Sequence, residues 1–119
     1  MKRDMELIRK ILINVQNGDL NEGVKGYDDD TVKYNKALLK DRGLVEAMVH
    51  YSSIGDKPED IPDLVIIKKL TWEGHDFIEA IENEGKWKKV KAFLSDAGKD
   101  VTIETIKYAV KQLFGFADS

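Results

Sequence analysis

Residues 38–51, LLKDRGLVEAMVHY, contain the point at which the spacing of apolar residues along the chain changes. Before Gly43 the apolar residues recur every three or four positions, which is typical of an amphipathic helix. From Leu44 to Tyr51 the residues fit a strand, in which successive side chains lie on opposite faces. One face would carry Val45, Ala47, Val49 and Tyr51, and the other Leu44, Glu46, Met48 and His50. Because glycine commonly ends helices, this stretch predicts a helix that ends at Gly43 and is followed by a strand.

A second β-rich run covers residues 64–70, and a polar connection containing Gly55, Pro58 and Pro62 separates it from the first. Two strands joined in this way form a long hairpin and not a tight turn. A helix, a glycine and then such a hairpin is the order expected of a wing.

Helical spacing also marks the regions on either side. The first helix is expected at about residues 3–17, on an apolar stripe of Met5, Ile8, Ile11, Leu12 and Val15. A loop over 18–28, with a short strand near Val24, leads to the second helix, whose cap is one of Asp28, Asp29 and Asp30. Three helices follow the hairpin: one from the cap Thr71 to about Asn83, one at about 86–97, and one at about 102–114 that ends at Gly115.

These elements predict an α+β fold, a winged helix-turn-helix-like domain with two helices, a β-hairpin wing and then C-terminal helices. We expect residues 1–119 to form a single domain, since no linker or internal repeat interrupts them. The helices at about 86–97 and 102–114 would complete its core or form a dimer contact. Gly74 lies in the first turn of its helix, where glycine is costly, so another segment should pack closely against it.

Composition narrows the class of protein. The chain has 119 residues, a net charge of −3 and no cysteine, so disulfides and thiolate metal sites are excluded. The longest apolar run, residues 64–67, is too short to cross a bilayer, and no signal-peptide run follows Met1. We expect a cytoplasmic protein with no membrane association.

Four segments carry a family resemblance: MKRDMELIRKIL at the start, ALLKDRGLVEA, LTWEGHDFIEAI and WKKVK. The chain resembles an uncharacterised family of short phage and prophage proteins, which implies a phage-associated protein in a bacterial cytoplasm and implies no activity. That family tends to place a histidine after the tyrosine of the second helix, whereas here Asn35 follows Tyr34. More loosely, the order of helix, Gly-Leu-Val, hairpin and Leu-Thr-x-x-Gly is similar to winged-helix transcriptional regulators, an analogy of fold alone.

Signatures of catalysis are missing from the sequence. There is no cysteine nucleophile, no Gly-x-Ser-x-Gly elbow, no phosphate-binding glycine loop and no His-Glu-x-x-His motif. His75 stands among acidic residues, but the other histidine, His50, is far away in sequence, and the pair lacks a metal-ligand spacing. We therefore expect no catalytic residue, no metal and no cofactor. Trp72 and Trp87 are expected to anchor their helices by packing.

Basic residues suggest a DNA-binding surface. Lys33, Lys36 and Lys40 recur at helical spacing and are expected to face outward from the second helix, while the hairpin carries further lysines. On a winged helix these two sets could meet one double-stranded DNA, with the helix in the major groove. A DNA-binding regulator of transcription is the first functional hypothesis, and its candidate residues are Lys33, Asn35, Lys36, Lys40, Arg42, Lys57, Lys68 and Lys69.

A protein-binding role is the alternative, as an adaptor or as an inhibitor of a host factor. The acidic balance of the chain suits a basic partner. An apolar stripe on the last helix either packs on the rest of the domain or pairs with a protein, including a second copy in a homodimer. Its candidate interface residues are Ile106, Val110, Leu113, Phe114 and Phe116. An open lysine face on the second helix would favour DNA, and a buried one would favour protein.

Overall fold

A computed structural model describes residues 2–52 and 60–115 of the chain. Within them the fold is mixed α+β, with five helices and a two-stranded antiparallel sheet. The elements in chain order are α1 (Met5–Gln16), α2 (Asp29–Asp41), β1 (Val45–His50), β2 (Leu64–Leu70), α3 (Trp72–Ile81), α4 (Glu84–Asp96) and α5 (Ile103–Phe114). The chain divides into two compact units, Met1–Asp76 and Phe77–Ser119. Helix α3 begins in the first unit and ends in the second.

Helix α1 forms as the sequence predicts. All five residues of the expected apolar stripe are buried, and α1 packs against α2 and β2. Asp4 caps the helix, since its side chain accepts a hydrogen bond from the backbone N–H of Leu7 at 3.0 Å. The segment 18–28 that follows has turns and bends, and the short strand expected near Val24 does not form.

Helix α2 is capped by Asp28, which accepts from the backbone N–H of Thr31 at 2.9 Å. Hydrogen bonds from the Thr31 side chain and from its backbone N–H lower the pKa of the Asp28 carboxyl, because they favour the charged form. The helix packs against α1 and both strands through Val32 and Leu39. Leu38 is only half-buried, because it lies on another side of the helix. Six residues at about 100° each place Leu38 about 240° around the helix from Val32.

The hairpin has the predicted strands, and β2 coincides with the expected range. Its register pairs Met48 with Ile66 and His50 with Leu64, with a bulge between Glu46 and Ala47. One face of the sheet is buried, and the other, which carries these two pairs, is open to solvent.

The far edge of β2 is covered by a side chain. The Asn21 carboxamide accepts from the backbone N–H of Ile67 at 3.0 Å and donates to its carbonyl at 3.5 Å. The amide thus takes the place of a neighbouring strand at this position, which protects an edge that could otherwise pair with another chain.

Gly74 allows α3 to lie close to Leu44, the residue that precedes β1, and a close neighbour is what its position predicts. A Cβ at residue 74 would overlap the carbonyl oxygen of Leu44 and lie 3.0 Å from the carbonyl carbon. Thr71 holds the junction, because its hydroxyl donates to the Gly43 carbonyl at 2.6 Å and accepts from the backbone N–H of Gly74 at 3.0 Å. Thr71 is therefore the predicted cap of α3.

In the second unit, α4 and α5 pack against each other. Thr102 and Thr105 form a capping box at the start of α5, and Gly115 ends it in the left-handed conformation with φ of 64°. Trp87 is fully buried, as expected of a packing residue, together with Val90, Leu94 and Ile106. Among the described helices, none is both long and apolar enough to cross a membrane.

Candidate functional site

The lysine face expected on α2 is not open. Lys36 is buried, with 6% of its surface exposed, and its ammonium donates to the backbone carbonyl of Glu22 at 3.3 Å. Burial lowers the pKa of Lys36, and the nearby charges of Asp29 and Glu22 offset part of that effect. Lys33 is partly buried and forms an ion pair with Asp29 at 3.0 Å. The expectation that Lys36 faces outward is therefore wrong, and Lys33 is already engaged within its own helix.

Asn35, predicted to read bases, has no exposed surface. Its Oδ1 accepts from the backbone N–H of Asp4, and its Nδ2 donates to the backbone carbonyl of Thr31, both at 2.9 Å. The side chain therefore joins α2 to the cap of α1, and its predicted outward position is wrong.

Four of the predicted DNA-binding residues are exposed: Lys40, Arg42, Lys68 and Lys69. Lys69 forms a cross-strand ion pair with Glu46 at 3.2 Å. The register places Lys69 opposite the start of β1, at the end of the hairpin where α2 connects to it. The predicted residue Lys57 lies outside the described residues.

The side of α2 that faces away from Val32 and Leu39 lines a pocket, which was not predicted from the sequence. It has a volume of about 320 Å³ and lies between the last turns of α2 and the end of β1. Its lining consists of two tyrosines, two aspartates and two apolar residues, namely Tyr34, Ala37, Leu38, Asp41, Tyr51 and Asp60. The i, i+3, i+4, i+7 spacing of its four α2 residues is the signal that could have revealed it.

The pocket has a negative electrostatic potential. Partial burial raises the pKa of the Tyr51 hydroxyl, and the charges of Asp41 and Asp60 raise it further because they oppose a tyrosinate. About half of Tyr51 nevertheless remains exposed. The same carboxylates that disfavour a negative charge at Tyr51 attract a positive one, so the arrangement can hold a cation.

Apolar side chains are also exposed on the outer face of the hairpin. Met48, Leu64 and Ile66 lie there in adjacent cross-strand pairs, and each is more than a third exposed. Trp72, expected to anchor α3 by packing, is 87% exposed, so that expectation is wrong. Its ring lies 6.5 Å from that of His75, which is itself exposed.

The interface residues predicted on α5 divide into two sets. Ile106 and Val110 are buried, so as the chain stands they are not available to a partner. Leu113 is exposed, while Phe114 is half-buried with the Lys86 ammonium 5.3 Å from its ring centre. Phe116 lies outside the described residues, and pairing of α5 with a second copy stays a prediction.

Among the described residues, no group of three or more His, Cys, Asp or Glu side chains is arranged to hold a metal ion. The two histidines lie on different elements, His50 at the end of β1 and His75 in α3. Neither of them lines the pocket at α2.

Comparison with known proteins places the chain in a family. The family described as a hypothetical protein (DUF2513) matches residues 2–100, which include all elements except α5. An uncharacterized protein of Haemophilus influenzae is 31% identical over 119 residues, and the match covers 95% of each chain. No solved structure matches. The chain belongs to the DUF2513 family.

Proposed function

We propose that this protein is a non-catalytic protein-binding module whose partner contacts the pocket at α2. The observation that carries the proposal is the pocket side of α2, which presents Tyr34, Leu38 and Asp41 and no lysine or arginine. Tyrosine is enriched in protein interfaces, because its ring offers a large contact area at a small cost in conformational entropy.

Charge around the pocket supports a protein partner over DNA. Asp41 and Asp60 line the pocket itself. In sequence, the connection between the strands, residues 51–63, contains four acidic residues and one lysine. The carboxylates of Asp41 and Asp60 repel a phosphate backbone, whereas affinity for DNA comes mostly from cations that neutralise phosphates.

The open face of the hairpin supports the same proposal. Met48, Leu64 and Ile66 present apolar atoms there, and Trp72 is almost fully exposed. Adjacent exposed apolar side chains mark interaction surfaces more often than isolated ones do. Trp and Tyr dominate the residues that carry binding energy in protein interfaces.

A random peptide library displayed against the purified protein tests the proposal. We expect the parent protein to retain peptides that shift the backbone amide signals of Tyr34, Leu38 and Tyr51 in a ¹⁵N-labelled sample. Leu38→Lys, which fills the pocket with a charged side chain, should lose them, while the exposed control Gln112→Lys should keep them. Equal retention by both variants would contradict the proposal, provided that circular dichroism shows both to be folded.

A winged-helix DNA-binding regulator is the second candidate. The order of helix, helix, hairpin and helix along the chain supports that class, and four basic residues remain exposed: Lys40, Arg42, Lys68 and Lys69. Replacing these four residues by glutamate should abolish retention of a DNA duplex in a low-salt shift assay. If the parent protein fails to retain DNA in that assay, this candidate is eliminated.

For the cellular setting we propose the cytoplasm of a bacterial host and a phage-associated role. A chain without cysteine suits a reducing compartment. Immunoblotting of fractionated host cells tests the location, and recovery of the protein outside the cytoplasm would contradict it.

A further inference from the structure

We propose that the pocket at α2 takes the cationic side chain of a lysine or arginine in a basic segment of the partner. This rests on the proposed function and names the chemistry of its ligand. The pocket combines two carboxylates, two phenol rings and an apolar wall from Ala37 and Leu38. A side chain with an aliphatic stem and a charged end meets each of these surfaces.

Electrostatics select the sign of the ligand. Asp41 is the last residue of α2, so its carboxylate lies at the end of the helix that carries partial negative charge. Asp60 adds a second carboxylate from the segment that leads into β2. Burial raises the pKa of Tyr51, and the charges of Asp41 and Asp60 raise it further. The two carboxylates would repel an anionic ligand.

The aromatic rings add attraction of the same sign. Tyr34 and Tyr51 come from different elements and line one pocket. The face of a phenol ring attracts ammonium and guanidinium groups, and aromatic cages use this property to bind lysine derivatives. Carboxylates beside the rings complete an environment suited to a cation and unsuited to a neutral polar group.

The size of the pocket limits the ligand to a single side chain. Its volume of about 320 Å³ is at the lower end of small-ligand pockets. A helix or strand of a partner is too large to enter, so the remainder of the basic segment would lie outside the pocket.

Three small probes test the proposal directly: N-acetyl-arginine amide, N-acetyl-lysine amide and N-acetyl-citrulline amide. Citrulline has nearly the shape of arginine without its charge. We expect at least one of the two cationic probes to shift the amides of Tyr34, Asp41 and Tyr51 at millimolar concentration, and citrulline to bind at least fivefold more weakly. Citrulline binding as tightly as arginine would overturn the proposal, as would no shift with either cation.

A matched pair of variants tests the role of the carboxylates. Asp41→Asn removes one charge from the pocket, and we expect it to weaken binding of the better cationic probe about three- to fivefold. Asp96→Asn makes the same chemical change at an exposed site on α4 and should leave binding unchanged. Equal affinities for these two variants would overturn the assignment of charge recognition to this pocket.

The peptide selection separates failure of this inference from failure of the proposed function. Selected peptides that shift the pocket amides but bind through apolar residues, with no loss on replacing their lysines and arginines by alanine, would overturn the cation pocket and leave the protein-binding function intact. Selected peptides that shift no pocket amide would overturn both. Peptides that depend on one lysine or arginine support both.

Discussion

Replacing Asn35 by leucine removes a buried connection between α1 and α2. Asn35 has no exposed surface, and its amide makes two hydrogen bonds of 2.9 Å, one from the Asp4 N–H and one to the Thr31 carbonyl. Leucine has a similar size but can make neither bond. Each hydrogen bond contributes about 1 kcal/mol net, and partly buried partners left unpaired add to the loss. We expect Asn35→Leu to lower the free energy of unfolding by about 2–3 kcal/mol.

Urea unfolding followed by circular dichroism measures this change, with the exposed Gln112→Leu as a control that should stay within about 0.5 kcal/mol of the parent. Asn35→His should lose less, about 1 kcal/mol, because neutral imidazole offers one acceptor and one donor. Its stability should fall as the pH drops below about 6.5, since the unfolded histidine takes up a proton that the folded acceptor refuses. An Asn35→Leu variant as stable as the parent would refute the reasoning.

Two further predictions concern positions near this connection. Gly74→Ala should destabilise the protein by about 3 kcal/mol or more in the same urea assay, because its Cβ would overlap the Leu44 carbonyl oxygen; a loss below about 1 kcal/mol would contradict the close approach. Lys36→Met should be neutral or stabilising by about 1 kcal/mol at pH 7, since it removes a buried charge. The folded pKa of Lys36 lies below its ordinary value of 10.5, so the unfolded state holds more protons between those two values, and the parent gains stability relative to Lys36→Met as pH rises through that window. A difference between the two proteins that is independent of pH up to 10.5 would contradict the burial of a charged Lys36.

The change of apolar spacing at Gly43 was sufficient to predict the hairpin and the helices on either side of it. Thr71 caps α3, Gly74 permits a close approach, and Gly115 ends α5 in the left-handed conformation. General rules for helices predict each of these roles. Capping at Thr71 and termination at Gly115 depend on neighbours in sequence, so they could be predicted without knowledge of tertiary contacts. The position of Gly74 predicts a close approach, but its partner, the Leu44 carbonyl, is distant in sequence and could not be identified in this way.

The orientation of α2 could not be predicted from residue types alone. Val32, Leu38 and Leu39 are all apolar, but Val32 and Leu39 lie inward while Leu38 lines the pocket. Asn35 and Lys36 occupy inward positions because the Asp4 N–H and the Glu22 carbonyl, distant in sequence, provide their hydrogen-bond partners. A polar residue that is buried because it bonds one such distant partner cannot be distinguished from a surface residue by its sequence position.

Predicting the pocket would have required two facts that the local sequence pattern does not contain. Tyr51 and Asp60 had to meet the outer side of α2, and this depends on the register of the hairpin and the packing of α2 on it. Only the spacing of Tyr34, Leu38 and Asp41 was visible in the sequence, as a stripe opposite Val32 and Leu39.

We propose that α2 binds a protein partner through its tyrosine side and does not bind DNA through its lysines. One ¹⁵N-labelled sample of the whole protein, titrated first with a DNA duplex of mixed sequence at low salt and then with a selected basic peptide, tests it most directly. We predict that the peptide shifts the amides of Tyr34, Leu38 and Tyr51 while the duplex leaves them unchanged. Shifts at Lys40, Arg42 and Lys68 on adding the duplex, with no response to the peptide, would contradict the claim.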